Sequence, residues 1–285
     1  MLSRRFFILF LLPILALFVA CDSTENTTLK TLVIGVVSYG EGARSLEQFE
    51  ELKAHLGNEL ETLVELEPAL NEIQALEQIE RQNWDLVFAP PGLAAIAISQ
   101  SQYVAILPRD TQDQEKSVIV VKATSPAQSI KDLANKTVAL GQRGSATGYY
   151  FPVYNLYGLT LSEVQFGSTP KEILRWIQED KVLAGALSLD ELEQYKADFP
   201  GTEFRVLAQD SHPVPSGAIL IKPSLVSSPQ RDKILAALDT ASPQTKEAVS
   251  YISNVSPPNY DYMIQVVKRV QPIAERIKEK PAPLY

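Results

Sequence analysis

The chain has 285 residues, 45% of them hydrophobic and 21% charged, with 26 lysines and arginines against 34 aspartates and glutamates, a formal net charge of −8. That acidic balance argues against a nucleic-acid partner and against a polybasic membrane surface; it leaves room for an anionic ligand held by donors in direct contact, since diffuse charge is screened beyond about 8 Å. Two histidines (His55, His212) and a single cysteine supply neither a set of metal ligands nor an internal disulfide, so no metal or other cofactor is expected.

Arg4 and Arg5 precede an apolar run from Phe6 to Ala20 that is too short, and too closely followed by polar residues, to span a bilayer. Residues 1–20 therefore read as an export signal. The run ends in Leu17-Phe18-Val19-Ala20-Cys21, which resembles the bacterial lipobox with Phe18 where leucine is usual. The resemblance implies cleavage before Cys21 and lipidation of its thiol, hence a periplasmic protein held to a bacterial membrane by a lipid; an ordinary signal peptide is the alternative. Residues 21–30 are polar and read as a flexible tether.

From Thr31 the apolar period switches back and forth between two and 3.6 residues. Leu32 to Ser38 is predicted as a buried strand, Ser45 to Leu56 as a helix, Thr62 to Leu66 as a strand, and Pro68 to Gln82 as a helix with Leu70, Ile73, Leu76 and Ile79 at helical spacing. Trp84 to Phe88 is a further strand and Pro91-Gly92 opens a short apolar helix to Ile98. Such alternation specifies an α/β fold with a mainly parallel sheet. Strands at Tyr103 to Leu107 and Ser117 to Lys122 flank a polar link. A second α/β unit then follows, with a short helix capped by Ser129, strands at Thr137 to Leu140, Glu163 to Phe166, Leu183 to Leu187 and Phe204 to Ala208, and helices capped by Thr169 with Glu172 and by Ser188 with Glu191. Ser216 to Ile221 returns to the first unit, and helices at Pro229 to Thr240, Pro243 to Ser253 and Tyr260 to Lys278 close it, the last kinked at Pro272. The predicted organisation is one α/β lobe from 31–116 with 217–285, and a second, inserted lobe from 117–216. The two crossings form a two-strand hinge. Ligands in open α/β sheets sit outside the carboxyl ends of strands, which nominates Ser38 to Ala43, Ala89 to Gly92 and the loop after Leu140.

That last loop, Gly141-Gln142-Arg143-Gly144-Ser145-Ala146-Thr147-Gly148-Tyr149, stands between a strand and a helix. The first amides of a helix lack intrahelical acceptors and sit at the positive end of its dipole, so the N–H groups of Ala146 to Tyr149, with the hydroxyls of Ser145 and Thr147, form a candidate oxyanion cradle. The same residues also describe a tight turn with a serine N-cap. Ser38 and Tyr39, past the first strand, are further candidates, Tyr39 as a phenol donor or a packing residue. Arg143 is either a source of charge or a solvated loop side chain.

At this point several segments together resemble a known family. Ser117 to Pro126 with Ser129-Ile130-Lys131-Asp132-Leu133 is similar to a hinge strand and its following helix; Ser145-Ala146-Thr147-Gly148-Tyr149-Tyr150-Phe151-Pro152 is similar to a Ser-Thr-Ser-Gly-Tyr-x-x-Pro signature; and His212-Pro213-Val214-Pro215 and Asn259-Tyr260-Asp261-Tyr262 resemble the return hinge and the start of the last helix. The family is that of the periplasmic substrate-binding lipoproteins of ABC importers for phosphate, phosphite and phosphonate, of the type II periplasmic-binding-protein fold. The resemblance implies a monomeric, non-enzymatic binder of a small phosphorus oxyanion that serves an ABC permease. Ser145, Thr147 and Gly148 take the positions of its anion-binding residues. Ala146 stands where a hydroxyl is usual, and Pro90-Pro91-Gly92 and Glu115-Lys116 where tyrosines are common. No match is found for the residues that hold the amine of aminophosphonates, which favours a small oxyanion. The alternatives are a binder of sulfonate or another organic ligand, a sensory lipoprotein of the same fold, and a secreted hydrolase using Ser145. The hydrolase lacks a Gly-x-Ser-x-Gly elbow and a placed histidine, and the remaining acidic residues read as solvated helix faces.

Overall fold

The computed structural model of the protein describes residues 30–37, 46–109 and 115–285. The expected export signal, Cys21 and the rest of the tether up to residue 29, Ser38 and Tyr39 lie outside the described residues.

Twelve strands and ten α-helices are described: β1 (Thr31–Val37), α1 (Glu50–Leu60), β2 (Leu63–Ala69), α2 (Glu72–Glu80), β3 (Leu86–Ala89), α3 (Pro91–Ser101), β4 (Val104–Pro108), β5 (Ser117–Lys122), β6 (Thr137–Leu140), α4 (Phe151–Asn155), β7 (Thr160–Leu161), β8 (Glu163–Phe166), α5 (Pro170–Gln178), β9 (Ala184–Ser188), α6 (Leu189–Tyr195), β10 (Phe204–Gln209), β11 (Ala218–Ile221), α7 (Pro223–Val226), α8 (Pro229–Thr240), α9 (Pro243–Ala248), α10 (Asp261–Val270) and β12 (Ala282–Pro283). Ten of the strands build two five-stranded sheets, ordered β2-β1-β3-β11-β4 and β10-β5-β9-β6-β8, and β12 with β7 form a two-stranded one. Read from opposite ends the two orders coincide in direction as well. In each sheet two joins are parallel (β2 to β1 and β1 to β3; β8 to β6 and β6 to β9) and two antiparallel. The antiparallel joins belong to β11 and β5, the strands that enter their sheets from the crossings. The sheets are therefore mixed where a mainly parallel one was expected, because a strand arriving from the other unit runs opposite to those wound locally by βαβ connections.

The crossings bond to each other and to the strands they feed. The Arg109 amide donates to Gly217 O at 2.8 Å, Val214 N to Glu115 O at 2.9 Å, and Asp210 N to Ser117 O at 3.1 Å. One apolar cluster lies on the outer face of each sheet, around Phe49, Leu52 and Ile234 in one case and Ile173, Leu174 and Phe199 in the other. A third cluster joins the units: α3, the segment after Ser145, α4 and α10 pack together through Leu93, Tyr149, Phe151, Met263 and Val267.

Several boundaries differ from expectation for identifiable reasons. Pro68 belongs to β2, opposite Val36, and not to a helix; β2 is an edge strand, where a missing N–H costs no ladder bond. The helix starts four residues later, behind Asn71, whose side chain accepts from the Gln74 amide. Leu70 and Ile73 are consequently exposed, at 57% and 55%, rather than buried. The last α-helix stops at Val270, and Pro272 sits in a 3-10 turn, Gln271–Ile273, since proline has no amide to continue the ladder. The chain then ends on the second unit rather than the first, with β12 pairing to β7.

Candidate ligand-binding site

β6 runs straight into the candidate cradle. Gly141 and Gly148 lie back to back: Gly141 N donates to Gly148 O at 2.8 Å, and a Cβ on either glycine would come within 3.1 Å of the other's Cα. Gly144, at φ 104°, turns the chain. Ala146–Tyr150 then form one wide π-type turn, with the amides of Tyr149 and Tyr150 both donating to Ser145 O at 3.1 and 3.0 Å. Ser145 Oγ accepts from Gly148 N at 2.9 Å, and Ser117 Oγ donates to Thr147 O at 2.7 Å, tying the turn to β5.

This geometry narrows the cradle. The amides of Gly148 and Tyr149, expected to face an anion, are already bonded within the turn, so their donor role is corrected: Gly148 contributes close approach, and Tyr149 packs away from the cavity. The serine-capped turn and the cradle are one object. Among the described residues, the amides of Ala146 and Thr147 and the Thr147 hydroxyl have no partner, although Thr147 is only 5% exposed. Ser145 keeps its hydroxyl hydrogen for donation.

These groups border a cavity of about 290 Å3 between the units. Ser145, Ala146, Thr147 and Gly148 form one side, with Thr169, Leu187 and Glu191 beside them, and Pro90, Pro91 and Glu115 complete the wall. α3 starts at Pro91, so the positive ends of two helical segments meet at the cavity. Gly92 permits the approach, since a Cβ there would stand 2.8 Å from Gly144 O and 2.9 Å from the Tyr150 ring.

Glu115 and Glu191 are exceptions to the reading of acidic residues as solvated faces. Burial pushes both carboxyls above their ordinary values; Glu191 and Asp190 push Glu115 further, whereas two hydrogen bonds from Ser188 pull Glu191 back. Sequence reasoning missed both residues as site groups. Glu115 was visible only as the replacement of a tyrosine, and Glu191 only as half of a capping box, which it does complete by accepting from Ser188 N at 2.8 Å. The partner box at Thr169 is incomplete, because Glu172 turns back to the Ser168 amide instead.

Arg143 turns away from this cavity and pairs with Glu275 at 3.3 Å. His55 bonds Ala237 O at 2.8 Å, and His212 stacks on Tyr262 at 3.7 Å between ring centres. Neither histidine bonds Ser145, and no group of metal-ligating residues exists among the described residues. A larger cavity, of about 910 Å3, lies against the crossings between Pro213 and Met263, and the cradle does not open into it.

The family described as the periplasmic substrate-binding protein of phosphonate ABC transporters matches residues 34–255. No curated protein sequence matches the chain. Solved structures with a similar fold include XAC2383 from Xanthomonas citri bound to ATP (18% identity, TM-score 0.70, covering 85% of this chain and 98% of that one). PhnD1 from Prochlorococcus marinus, in complex with methylphosphonate, is similar at 17% identity and TM-score 0.63, over 84% of this chain and 97% of that one. The periplasmic aliphatic sulphonate-binding protein SsuA from Escherichia coli follows at 16% identity and TM-score 0.52, over 90% and 96%.

Proposed function

The chain belongs to the family of periplasmic substrate-binding proteins of phosphonate ABC transporters, and from that membership we propose that the cavity beside Ser145 receives one small phosphorus oxyanion: phosphate, phosphite or a phosphonate. The family is one of extracytoplasmic transport components that take a small molecule and work with a membrane ABC permease, not one of enzymes. The reading rests above all on the Ala146 and Thr147 amides and the Thr147 hydroxyl, which have no partner among the described residues and belong to residues that line a cavity walled by both units.

The carboxyls opposite the cradle favour phosphorus over sulfur. An ionised Glu115 repels a bare oxyanion but accepts a hydrogen bond from a ligand that still carries a proton. Phosphate and phosphonate monoanions keep a P–OH near neutral pH. Sulfate and sulfonates have none. A five-heavy-atom ligand at a ceiling of about −1.5 kcal/mol per atom reaches roughly −7.5 kcal/mol, a dissociation constant of a few micromolar. At a hundred times that concentration it stabilises the fold by about 2.7 kcal/mol. Thermal melting with phosphate, phosphite and methylphosphonate is expected to show this gain, and sulfate and methanesulfonate to show none; methanesulfonate acting as strongly as methylphosphonate would defeat the proposal.

The lipid anchor on Cys21 and a monomeric state belong to the same proposal. Incorporation of labelled palmitate, abolished by Cys21→Ser, tests the anchor, and the elution volume of protein starting after Cys21 tests the monomer. We further take 31–116 with 217–281 as one unit and 117–216, with β12 paired onto it, as the other, and infer that the two close on the ligand about the crossings. An unchanged radius of gyration on adding methylphosphonate would count against closure. Ser38 and Tyr39 remain candidates at the end of β1, and a Tyr39→Phe variant that binds as the parent does removes that phenol.

A further inference from the structure

A second cavity, of about 370 Å3, lies on the far side of the cradle loop. Gln142 of the cradle loop and Gly167-Ser168 after β8 line both cavities and form the partition between them. The second cavity has apolar walls from Ile73, Phe166 and Ile277 and lies in the range that small-molecule sites occupy.

Its polar lining is incomplete. Two buried side-chain polar atoms without a hydrogen-bond partner among the described residues, Glu72 Oε2 and the Tyr149 hydroxyl, belong to residues that line this cavity. Glu72 is 2% exposed and Tyr149 1%. The other carboxyl oxygen of Glu72 accepts from the Tyr150 hydroxyl at 2.5 Å. No lysine, arginine or histidine among the described residues forms an ion pair with Glu72. The two cations at the rim, Arg143 and Lys278, both pair with Glu275, at 3.3 and 3.2 Å. A fully buried glutamate is seldom left without a partner, because an unpaired charge in a low-dielectric site is costly. Burial does push the Glu72 carboxyl upward, opposed by the Tyr150 hydrogen bond and by Arg143.

The missing partner can be inferred from what surrounds the carboxyl. The Tyr149 and Phe166 rings lie 6.2 Å apart between centres and inclined by 41°. Aromatic faces beside a buried carboxylate form the usual setting for an organic cation. The Tyr149 phenol, held up at about 12 chiefly by burial, stays protonated and offers its oxygen lone pair to an N–H donor. Phe166 and Ile73 are large apolar side chains left 39% and 55% exposed, enough to cover an apolar substituent. We propose that this cavity is a second ligand site, separate from the oxyanion cavity, that takes a primary organic ammonium ion with a small apolar substituent: the ammonium on Glu72 Oε2 and the Tyr149 oxygen, the substituent against Phe166, Ile73 and Ile277.

Benzylammonium and benzyl alcohol, nearly equal in size and differing in charge, serve as probes, followed by the methyl NMR signals of Ile73 and Ile277. Benzylammonium is expected to shift both signals saturably, with benzyl alcohol at least tenfold weaker, and the same loss for benzylammonium in Glu72→Gln. Tyr149→Phe, which keeps the ring, is expected to weaken benzylammonium severalfold and preserves a test if Glu72→Gln fails to fold. Unshifted Ile73 and Ile277 signals, or equal binding of the alcohol, would overturn the site. So would displacement of benzylammonium by methylphosphonate in simple competition, which would place both ligands in one cavity.

Discussion

Replacing Thr147 by valine tests the cradle with the least disturbance to the fold. The two side chains have nearly the same shape, and the Thr147 hydroxyl has no protein partner among the described residues, so its removal orphans nothing. The backbone anchor, Ser117 Oγ on Thr147 O at 2.7 Å, is untouched. A hydrogen bond to a charged group contributes about 1.5 to 3 kcal/mol, and each 1.4 kcal/mol is about a factor of ten. Calorimetric titration of methylphosphonate is therefore expected to show roughly ten- to hundredfold weaker binding in Thr147→Val, with a melting temperature of the free protein close to the parent's. Ser145→Ala is expected to weaken binding comparably for a mixed reason, since Ser145 Oγ also holds the Gly148 amide at 2.9 Å and its loss leaves that N–H unsatisfied. A dissociation constant for Thr147→Val within twofold of the parent's would show that this hydroxyl meets no ligand, and the proposed cradle would lose one of its two side-chain donors.

Other expectations follow from the same contacts. Glu115, raised by burial and by Glu191 and Asp190, holds its proton to higher pH in the folded protein than in the unfolded chain; its contribution to stability is full below the ordinary carboxyl value and lost as pH rises through the raised one. Discrimination of methylphosphonate against methanesulfonate is expected to grow over that same rise, and Glu115→Gln to remove it; parallel pH profiles for parent and variant would refute this. Tyr150→Phe removes the hydroxyl that serves the buried Glu72 carboxyl, an expected loss of about 1 to 3 kcal/mol measurable by urea unfolding. Gly92→Ala places a methyl group 2.8 Å from Gly144 O and 2.9 Å from the Tyr150 ring. It is expected to force the units apart at about 1 to 3 kcal/mol, lowering both melting temperature and ligand affinity, and an unaffected affinity would argue that the contact does not govern the cavity.

The element order was legible because burial imposes a period on the sequence: β1, β5 and β9 are continuous apolar runs, and Ser188 with Glu191 mark a helix start that the structure reproduces in both hydrogen bonds. The glycine-bracketed loop was legible as well, because Gly141 and Gly148 must touch. Helix ends were less so. Leu70 and Ile73 have helical spacing yet point outward, since the edge position of β2 lets Pro68 remain extended and delays the helix. The serine N-cap reading did foresee the Gly148 amide on Ser145 Oγ, but spacing gave no sign that the Tyr149 amide is also consumed, on Ser145 O, which depends on a wide turn in place of an ordinary first helical turn.

Local chemistry along the chain thus determined the α/β alternation, the acidic surface and the one loop with donors to offer. Tertiary structure alone decided which of those donors stay free, that Glu115 and Glu191 stand beside them, that Arg143 faces Glu275 instead, and that the final residues pair with β7. Period and capping act between residues a few positions apart, whereas a cavity wall is assembled from segments as distant as Pro90 and Glu191, whose approach is fixed by the packing of two sheets and not by any neighbouring residue.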